Sequence, residues 1–280
     1  MEREMEAMQL VEFRGWLLED ERERSTIEKY LRDVEMFFSW AGARKVTKEL
    51  VARWKEYLQR TGHRPVTLNG KLSALNKFFS FLGWNECRVK YLKIQRRVFR
   101  NTEKELSREE YIRLVETARN LGRERLALLI ETICATGIRV SEVRYITAEA
   151  VQTGRADIAL KGKIRTILLP GKLCRKLKKY ARKRKIASGE IFLTKSGKGL
   201  NRRQIWTEMK AICAKAGVKR SKVFPHNLRH LFARTFYQAC RDVVKLADVL
   251  GHSSIETTRL YLVSTGTEHA KQLERLQLVS

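Results

Sequence analysis

One C-terminal stretch of the 280-residue chain holds three of its five histidines, together with an arginine and a tyrosine. It reads Pro-His-Asn-Leu-Arg-His over 225–230, Leu-Gly-His over 250–252 and Arg-Leu-Tyr over 259–261. His226 and Arg229 are one helical turn apart, so both side chains are expected on the same face of a helix. The start of a helix carries a partial positive charge and free N–H groups. The spacing therefore indicates a seat for a phosphate group.

A second group of polar residues lies upstream, in Ala-Thr-Gly-Ile-Arg-Val-Ser-Glu at 135–142, where Arg139 follows a glycine break and Glu142 comes three residues later. Cleavage of a phosphodiester without a metal needs a nucleophile that bonds to phosphorus, and a tyrosine phenol can do this. Guanidinium groups suit the phosphate oxygens, because they donate in pairs. A lysine or histidine must bring a proton to the leaving 5′ oxygen. The residue types of the two stretches match these needs.

Each of these residues also has an ordinary structural interpretation. Arg139 on its own is a surface arginine paired with Glu142, His252 is a structural histidine, and Tyr261 is a core tyrosine near the chain end. A metal site is a further alternative, because two histidines at 226 and 230 have the i, i+4 spacing of a His-Glu-x-x-His motif. Asn227 stands where that motif has its carboxylate, so we expect no metal.

The composition indicates an anionic partner. Lys and Arg number 58 against 31 Asp and Glu, a formal net charge of +27, and nucleic acid is the leading candidate to balance it. A membrane surface is the rival, but no apolar run approaches the roughly 18 residues of a spanning helix, and the first residues are acidic. Five scattered cysteines without a C-x-x-C pair predict reduced thiols in a cytoplasmic protein. RNA-binding and ribosomal proteins share this composition.

Periodicity predicts a helical first segment. A capping box at Ser25 and Glu28 is expected to open one helix, a second is predicted over 47–58, and a third follows Pro65. The polar faces carry Lys71 and Lys77, which are available to phosphate or to water.

A basic stretch with little periodicity over 93–104 predicts a linker. Beyond it, Ser107 and Glu110 form another capping box, and an apolar helix ends at Gly137. Alternation over 156–160 and β-prone residues over 166–169 predict a hairpin that turns at Lys161-Gly162-Lys163.

The motifs Ala-Thr-Gly-x-Arg-x-Ser-Glu, His-x-Leu-Arg-His and Leu-Gly-His, with a tyrosine nine residues after that histidine, resemble the two signature boxes of the tyrosine recombinase (phage integrase) family. The order and spacing of the set are specific, and the likeness covers nearly the whole chain. It implies a mainly α fold: a helical, SAM-like core-binding domain over 1–92, a linker over 93–104, and an α+β catalytic domain over 105–280 with a small antiparallel sheet. A C-terminal tail helix is expected over 267–278.

The resemblance implies a role for each matching residue. Tyr261 attacks the scissile phosphate and forms a 3′-phosphotyrosyl link, while Arg139 and Arg229 hold the phosphate oxygens. His226 and His252 add hydrogen bonds and help to manage the proton of the nucleophile. Glu142 supports the pocket.

The general acid of the family is a lysine on a β-hairpin, and Lys161 matches it best. The hairpin departs from the family pattern, because one residue is missing before the next lysine, and Lys163 is therefore a rival. The candidate DNA contacts are Thr26, Lys71, Lys77, Lys163, Arg202 and Arg203.

The resemblance also implies the partners. Double-stranded DNA is the expected substrate, bound by a homotetramer or by a heterotetramer with a second recombinase, without metal, ATP or another cofactor and without a membrane. The length suits a Xer-like recombinase or a compact integrase or transposase of a mobile element. A non-catalytic DNA-binding factor on the same fold and a type IB topoisomerase-like enzyme are the alternatives.

Overall fold

The computed structural model describes residues 6–94, 102–160, 163–252, 254–259, 261 and 274–276. The chain divides into two units, Met1–Arg96 and Arg97–Ser280, and each is described by itself. This division falls inside the linker expected over 93–104. The domain boundaries at 92 and 105 stay predictions.

The described residues of the first unit form four α-helices: α1 Ala7–Glu19, α2 Arg24–Ala41, α3 Lys48–Arg60 and α4 Pro65–Phe81. Thr47 caps α3, because its hydroxyl accepts from the amide of Leu50 at 3.2 Å. The core is aromatic: Phe37 meets Trp54 edge to face at 5.1 Å, and both side chains are fully buried. Burial of such large rings is what holds a helical unit of this size together.

The capping box predicted at Ser25 and Glu28 is wrong. Arg24 is already helical, and the backbone carbonyl of Glu23 accepts from the amides of Thr26 and Ile27, so the helix begins before Ser25. Glu28 forms an ion pair with Arg24 at 3.0 Å instead of reaching back to an amide.

Lys71 also needs correction as a candidate DNA contact. Its side chain is buried among α2 and α4, and Nζ lies 3.3 Å from an oxygen of Asp33, which also pairs with Lys29 at 2.6 Å. A buried, paired lysine does not lie on a polar face, so Lys71 is not a candidate for contact with DNA. Lys77 is partly exposed, with Nζ 4.4 Å from the ring centre of Trp16. Thr26 is half-buried near the start of α2.

The second unit begins with α5 Arg108–Asn120 and α6 Glu124–Thr136, which pack against each other. The predicted capping box of α5 is confirmed: Ser107 and Glu110 each accept from the other's backbone amide. Short helical turns and α7 Ala148–Thr153 lead into a two-stranded antiparallel sheet, β1 Arg155–Leu160 and β2 Lys163–Leu168. The strands pair in register from Arg155 opposite Leu168 to Leu160 opposite Lys163.

The remaining described helices are α8 Gly171–Lys183, α9 Arg202–Lys210, α10 Pro225–Cys240, α11 Val243–Leu250 and α12 Ile255–Arg259. The mainly helical architecture with a small antiparallel sheet confirms the predicted fold class. The turn at Lys161 and Gly162 lies outside the described residues, as does the predicted tail helix over 267–278 except for 274–276. No helix in the described part of the chain is long and apolar enough to cross a membrane.

Candidate active site

Arg229 is the centre of the site. It projects from the first turns of α10, which Pro225 opens, and its side chain is only 2% exposed. The guanidinium donates to the carbonyls of Gly137 and of Leu250, the latter at 2.8 Å, and to Nε2 of His252 at 2.8 Å. Burial lowers the pKa of Arg229, and the nearby phenol of Tyr261 acts in the opposite direction. One buried cation therefore ties together the ends of α6 and α11, close to the predicted nucleophile.

Three imidazole rings surround Tyr261, and we call them the histidine cluster: His226, His230 and His252. Their ring centres lie 6.0, 4.3 and 5.6 Å from that of the tyrosine, and His252 stacks at an interplanar angle of 20°. Tyr261 itself is 6% exposed. The ring is thus fixed on several sides.

His252 is oriented at both ring nitrogens. Nε2 faces the Arg229 guanidinium, which has only donors, so Nε2 accepts and Nδ1 carries the proton. Nδ1 then donates to the hydroxyl of Thr258, a fully buried residue of α12, at 2.9 Å. Gly251, with φ of +63°, ends α11 just before His252, and a Cβ at this position would overlap the Arg165 side chain.

Arg139 reaches the site because α6 ends at Gly137. This glycine has φ of +64°, and a Cβ there would overlap the ring of Phe232 in α10. The Arg139 guanidinium bonds to the buried carboxylate of Glu142 at 2.9 Å and donates to the Gly251 carbonyl at 3.2 Å. Its side chain is 40% exposed, so it remains open to a ligand.

A cleft of about 380 Å³ opens beside these residues. Arg139, Arg202, His226 and Arg229 line it together with apolar and small residues, and none of the described lining residues carries a carboxylate. A cleft with several cations and no anion selects a negatively charged group such as phosphate.

Burial sets the charge state of the histidine cluster. It lowers the pKa of His230 to about 3 and that of His252 to about 4, and nearby positive groups act in the same direction. The pKa of His226 is lowered as well, by burial and then by the charges of Arg229 and Arg139. The three imidazoles are therefore neutral at pH 7, and each has one nitrogen that accepts a hydrogen bond; in His252 this nitrogen is bonded to Arg229.

This charge state predicts how stability depends on pH. Because the pKa of His230 is below its ordinary 6.5 in the folded chain, the unfolded chain binds more protons, and stability is lost as pH falls from about 6.5 toward 3. We expect His230→Gln to lose less of its melting temperature between pH 7.5 and pH 5 than the parent. His63→Gln, in the first unit, is the control, and an equally steep acid loss in His230→Gln would contradict the assignment.

The structure brings together six predicted residues: Arg139, Glu142, His226, Arg229, His252 and Tyr261. Lys161 lies outside the described residues, and Lys163 is described only through its backbone. Arg202 lines the cleft, whereas Arg203 is exposed on α9 and is not among the lining residues. Within the described residues, no group of three or more His, Cys, Asp or Glu side chains is arranged to hold a metal ion.

The sequence motifs assign no role to three residues at the site: His230, Thr258 and Arg165. His230 has a visible signal in the sequence, its i, i+4 spacing from His226, but this spacing by itself indicates a metal-binding pair. Thr258 and Arg165 have none, since their partners are set by the tertiary fold.

Two family models match the chain. The phage integrase family model matches residues 104–268, and the model of the phage integrase N-terminal SAM-like domain matches residues 12–86. The second match confirms the predicted SAM-like class of the first unit.

Among curated proteins, tyrosine recombinase XerA of Pyrococcus furiosus is 29% identical over 280 residues, covering 96% of this chain and 94% of that protein. Tyrosine recombinase XerD of Brucella suis is 29% identical over 275 residues, covering 85% and 86%.

Solved structures share the fold. The crystal structure of XerA recombinase has a TM-score of 0.54 at 21% identity, with 98% and 99% of the two chains covered. XerH bound to its difH substrate in a pre-cleavage complex gives 0.67 at 23%, covering 88% and 78%. A lambda integrase tetramer bound to a Holliday junction gives 0.72 at 14%, covering 92% and 78%. The phage integrase model spans more than half of the sequence, and the chain therefore belongs to the phage integrase family of tyrosine-type site-specific DNA recombinases.

Proposed function

We propose that the chain cleaves and rejoins duplex DNA through a 3′-phosphotyrosyl intermediate on Tyr261, without metal or ATP. The observation that carries this proposal is the position of Tyr261 among three neutral imidazoles, one of which, His252, bonds to the buried guanidinium of Arg229. A tyrosine fixed beside a phosphate-binding cation is arranged for attack on phosphorus.

The cleavage step exchanges one phosphate ester for another. The phenol oxygen of Tyr261 passes its proton to His226 and bonds to the scissile phosphorus. The bond from phosphorus to the 5′ oxygen breaks, its electron pair stays on that oxygen, and the oxygen takes a proton from the lysine of the hairpin. Arg139 and Arg229 hold the nonbridging oxygens, whose charge must be stabilised in the transition state. Rejoining is the reverse reaction, in which a 5′ hydroxyl attacks the phosphotyrosine. The ester bond is kept throughout, so the cycle needs no ATP.

The neutral histidine cluster supports this step in two ways. His252 accepts from Arg229 and so fixes the guanidinium against the phosphate seat. His226 lines the cleft beside Arg139 and donates or accepts at the phosphate or at the phenol proton. These assignments extend the sequence-based roles of His226 and His252, and Glu142 orients Arg139 through its 2.9 Å ion pair.

The general acid is the part of the mechanism for which Lys161 and Lys163 compete. We expect Lys161→Ala to slow cleavage by about 10²–10⁴-fold, the usual contribution of a positioned general acid, and Lys163→Ala to weaken DNA binding instead. A duplex with sulfur in place of the bridging 5′ oxygen releases a thiolate, which needs no proton. The sulfur substrate should therefore restore cleavage by Lys161→Ala in a single-turnover assay. Restoration of Lys163→Ala alone would transfer the role to Lys163.

The proposed partner is double-stranded DNA. The protein is proposed to assemble on this DNA as a homotetramer, and the alternative is a heterotetramer with a second recombinase. The net charge of +27 and the cationic cleft support a polyanionic duplex. Two proteins with the same fold have been solved on DNA: XerH bound to its difH substrate, and a lambda integrase tetramer bound to a Holliday junction. Of the candidate contacts, Arg202 has the strongest support because it lines the cleft, and Thr26, Lys77, Lys163 and Arg203 are retained.

The test is covalent capture of DNA. Fragmented genomic DNA of the source organism, nicked at low frequency, is incubated with the protein, denatured, and the fragments that stay attached are sequenced. The proposal predicts that one recurrent sequence is recovered. It also predicts strand transfer on a nicked suicide duplex that contains this sequence. Binding without covalent capture would indicate a DNA-binding factor, and sequence-independent capture without strand transfer a topoisomerase. Capture must also persist in EDTA; loss that Mg²⁺ or Zn²⁺ reverses would contradict a metal-free reaction.

A further inference from the structure

Three arginines cap the C-terminal end of α11. The carbonyl of Val249 accepts from Arg165 at 3.2 Å, that of Leu250 from Arg229 at 2.8 Å, and that of Gly251 from Arg139 at 3.2 Å. The last carbonyls of a helix have no partner within it and carry partial negative charge, so guanidinium groups suit this place. His252 follows directly, and its position therefore depends on all three.

Arg165 is the one of the three that has no role in the mechanism above. It lies on β2 with its side chain 14% exposed, and its guanidinium also bonds to Glu142. Glu142 is 1% exposed and bonds to Arg139 through its other carboxylate oxygen. One buried carboxylate thus lies between two guanidinium groups, one of which lines the cleft and one of which does not.

The charges in this arrangement decide what Arg139 offers to a phosphate. Arg139 and Glu142 alone make a neutral pair, in which the carboxylate competes with phosphate for the guanidinium. With Arg165 present the three groups carry one net positive charge, and the attraction of Glu142 is divided between two cations. In a buried setting such charges are poorly screened, so the division matters more than it would in water.

We propose that Arg165 is a positioning residue for strand cleavage, which balances Glu142 so that Arg139 stays available to the phosphate and which holds the helix end before His252. The inference rests on the proposed function of the site. It assigns Arg165 no contact with DNA.

The experiment measures single-turnover covalent complex formation on the suicide duplex at saturating protein, together with duplex affinity. Arg165→Met keeps the length of the side chain and removes its charge. We expect the cleavage rate to fall about 10–100-fold while duplex affinity changes little. A loss of this size is usual when a residue that orients a functional side chain is removed, as measured for residues that orient metal ligands. Arg155→Met, an exposed position on the same hairpin, is the control and should cleave like the parent.

A second substitution separates charge balance from mere structural support. If Arg165 acts by balancing Glu142, Glu142→Gln added to Arg165→Met removes the unbalanced carboxylate, and the double variant should cleave faster than Arg165→Met. A double variant that is slower still would overturn the proposal, as would a parental rate in Arg165→Met.

Arg165→Lys keeps the positive charge and covers the case in which Arg165→Met does not fold. Its cleavage rate should lie within about tenfold of the parental rate, and tenfold is the smallest loss expected for Arg165→Met. A folded Arg165→Lys that cleaves more than about 100-fold slower than the parent would contradict charge balance. If the parent itself forms no covalent complex, the proposed function fails and takes the inference with it. If the parent does and Arg165→Met matches it, only the inference fails.

Discussion

Replacement of Tyr261 by phenylalanine will abolish covalent capture of DNA while duplex binding stays close to that of the parent. The change removes a single oxygen. The ring, which is 6% exposed and stacked on the histidine cluster, keeps its packing. Arg229 keeps its bonds to the carbonyls of Gly137 and Leu250 and to the nitrogen of His252. The variant should therefore fold and bind, and lack only the nucleophile.

A denaturing gel of protein and labelled suicide duplex measures the adduct, and fluorescence anisotropy measures binding. Tyr237→Phe is the matched control, because Tyr237 packs against the same small cluster as Tyr261 and loses the same oxygen. The control should trap DNA at the parental level. An adduct that persists in Tyr261→Phe would show that another residue is the nucleophile.

Local features of the sequence predicted local structure well where side chain and backbone were the only partners involved. Ser107 and Glu110 satisfy each other's amides three residues apart, and the pattern is sufficient to fix the start of α5. The same pattern failed at Ser25, because Arg24 provides Glu28 with an ion pair inside an earlier helical turn. A capping box in sequence is thus decided by what else the acidic residue can reach.

Residues far apart in the chain could be named from sequence, but their contacts could not. The helical pattern places Lys71 on a polar face, whereas in the structure it pairs with Asp33, which lies 38 positions away on another helix. The types and order of Arg139, Arg229 and Tyr261 identify them in the sequence. Their placement in one site depends on two glycines with positive φ: Gly137 ends α6 against Phe232 of α10, and Gly251 ends α11 against Arg165 of β2. Arg165 was missed because nothing in a β-strand pattern shows that its guanidinium reaches Glu142.

Arg229→Lys is the second change with a large expected effect. The guanidinium of Arg229 donates at once to two backbone carbonyls and to His252, and it is 2% exposed. An ammonium group has three donors at one point and does not span partners at the ends of both α6 and α11. Loss of a preorganised donor to the transition state costs about 10²–10³ in rate. A buried carbonyl left without a donor also costs about 1–3 kcal/mol of stability.

The control must therefore separate stability from chemistry, and α10 offers one. Arg234 is also mostly buried, donates to the carbonyl of Leu106 at 2.9 Å and pairs with Glu105, but it does not line the cleft beside Arg139 and His226. Arg234→Lys and Arg229→Lys should both lower the melting temperature. Only Arg229→Lys should reduce the single-turnover rate of covalent complex formation per bound duplex, by about 10²–10³. Equal cleavage rates in the two variants, at temperatures where both are folded, would mean that Arg229 stabilises the second unit without holding the scissile phosphate.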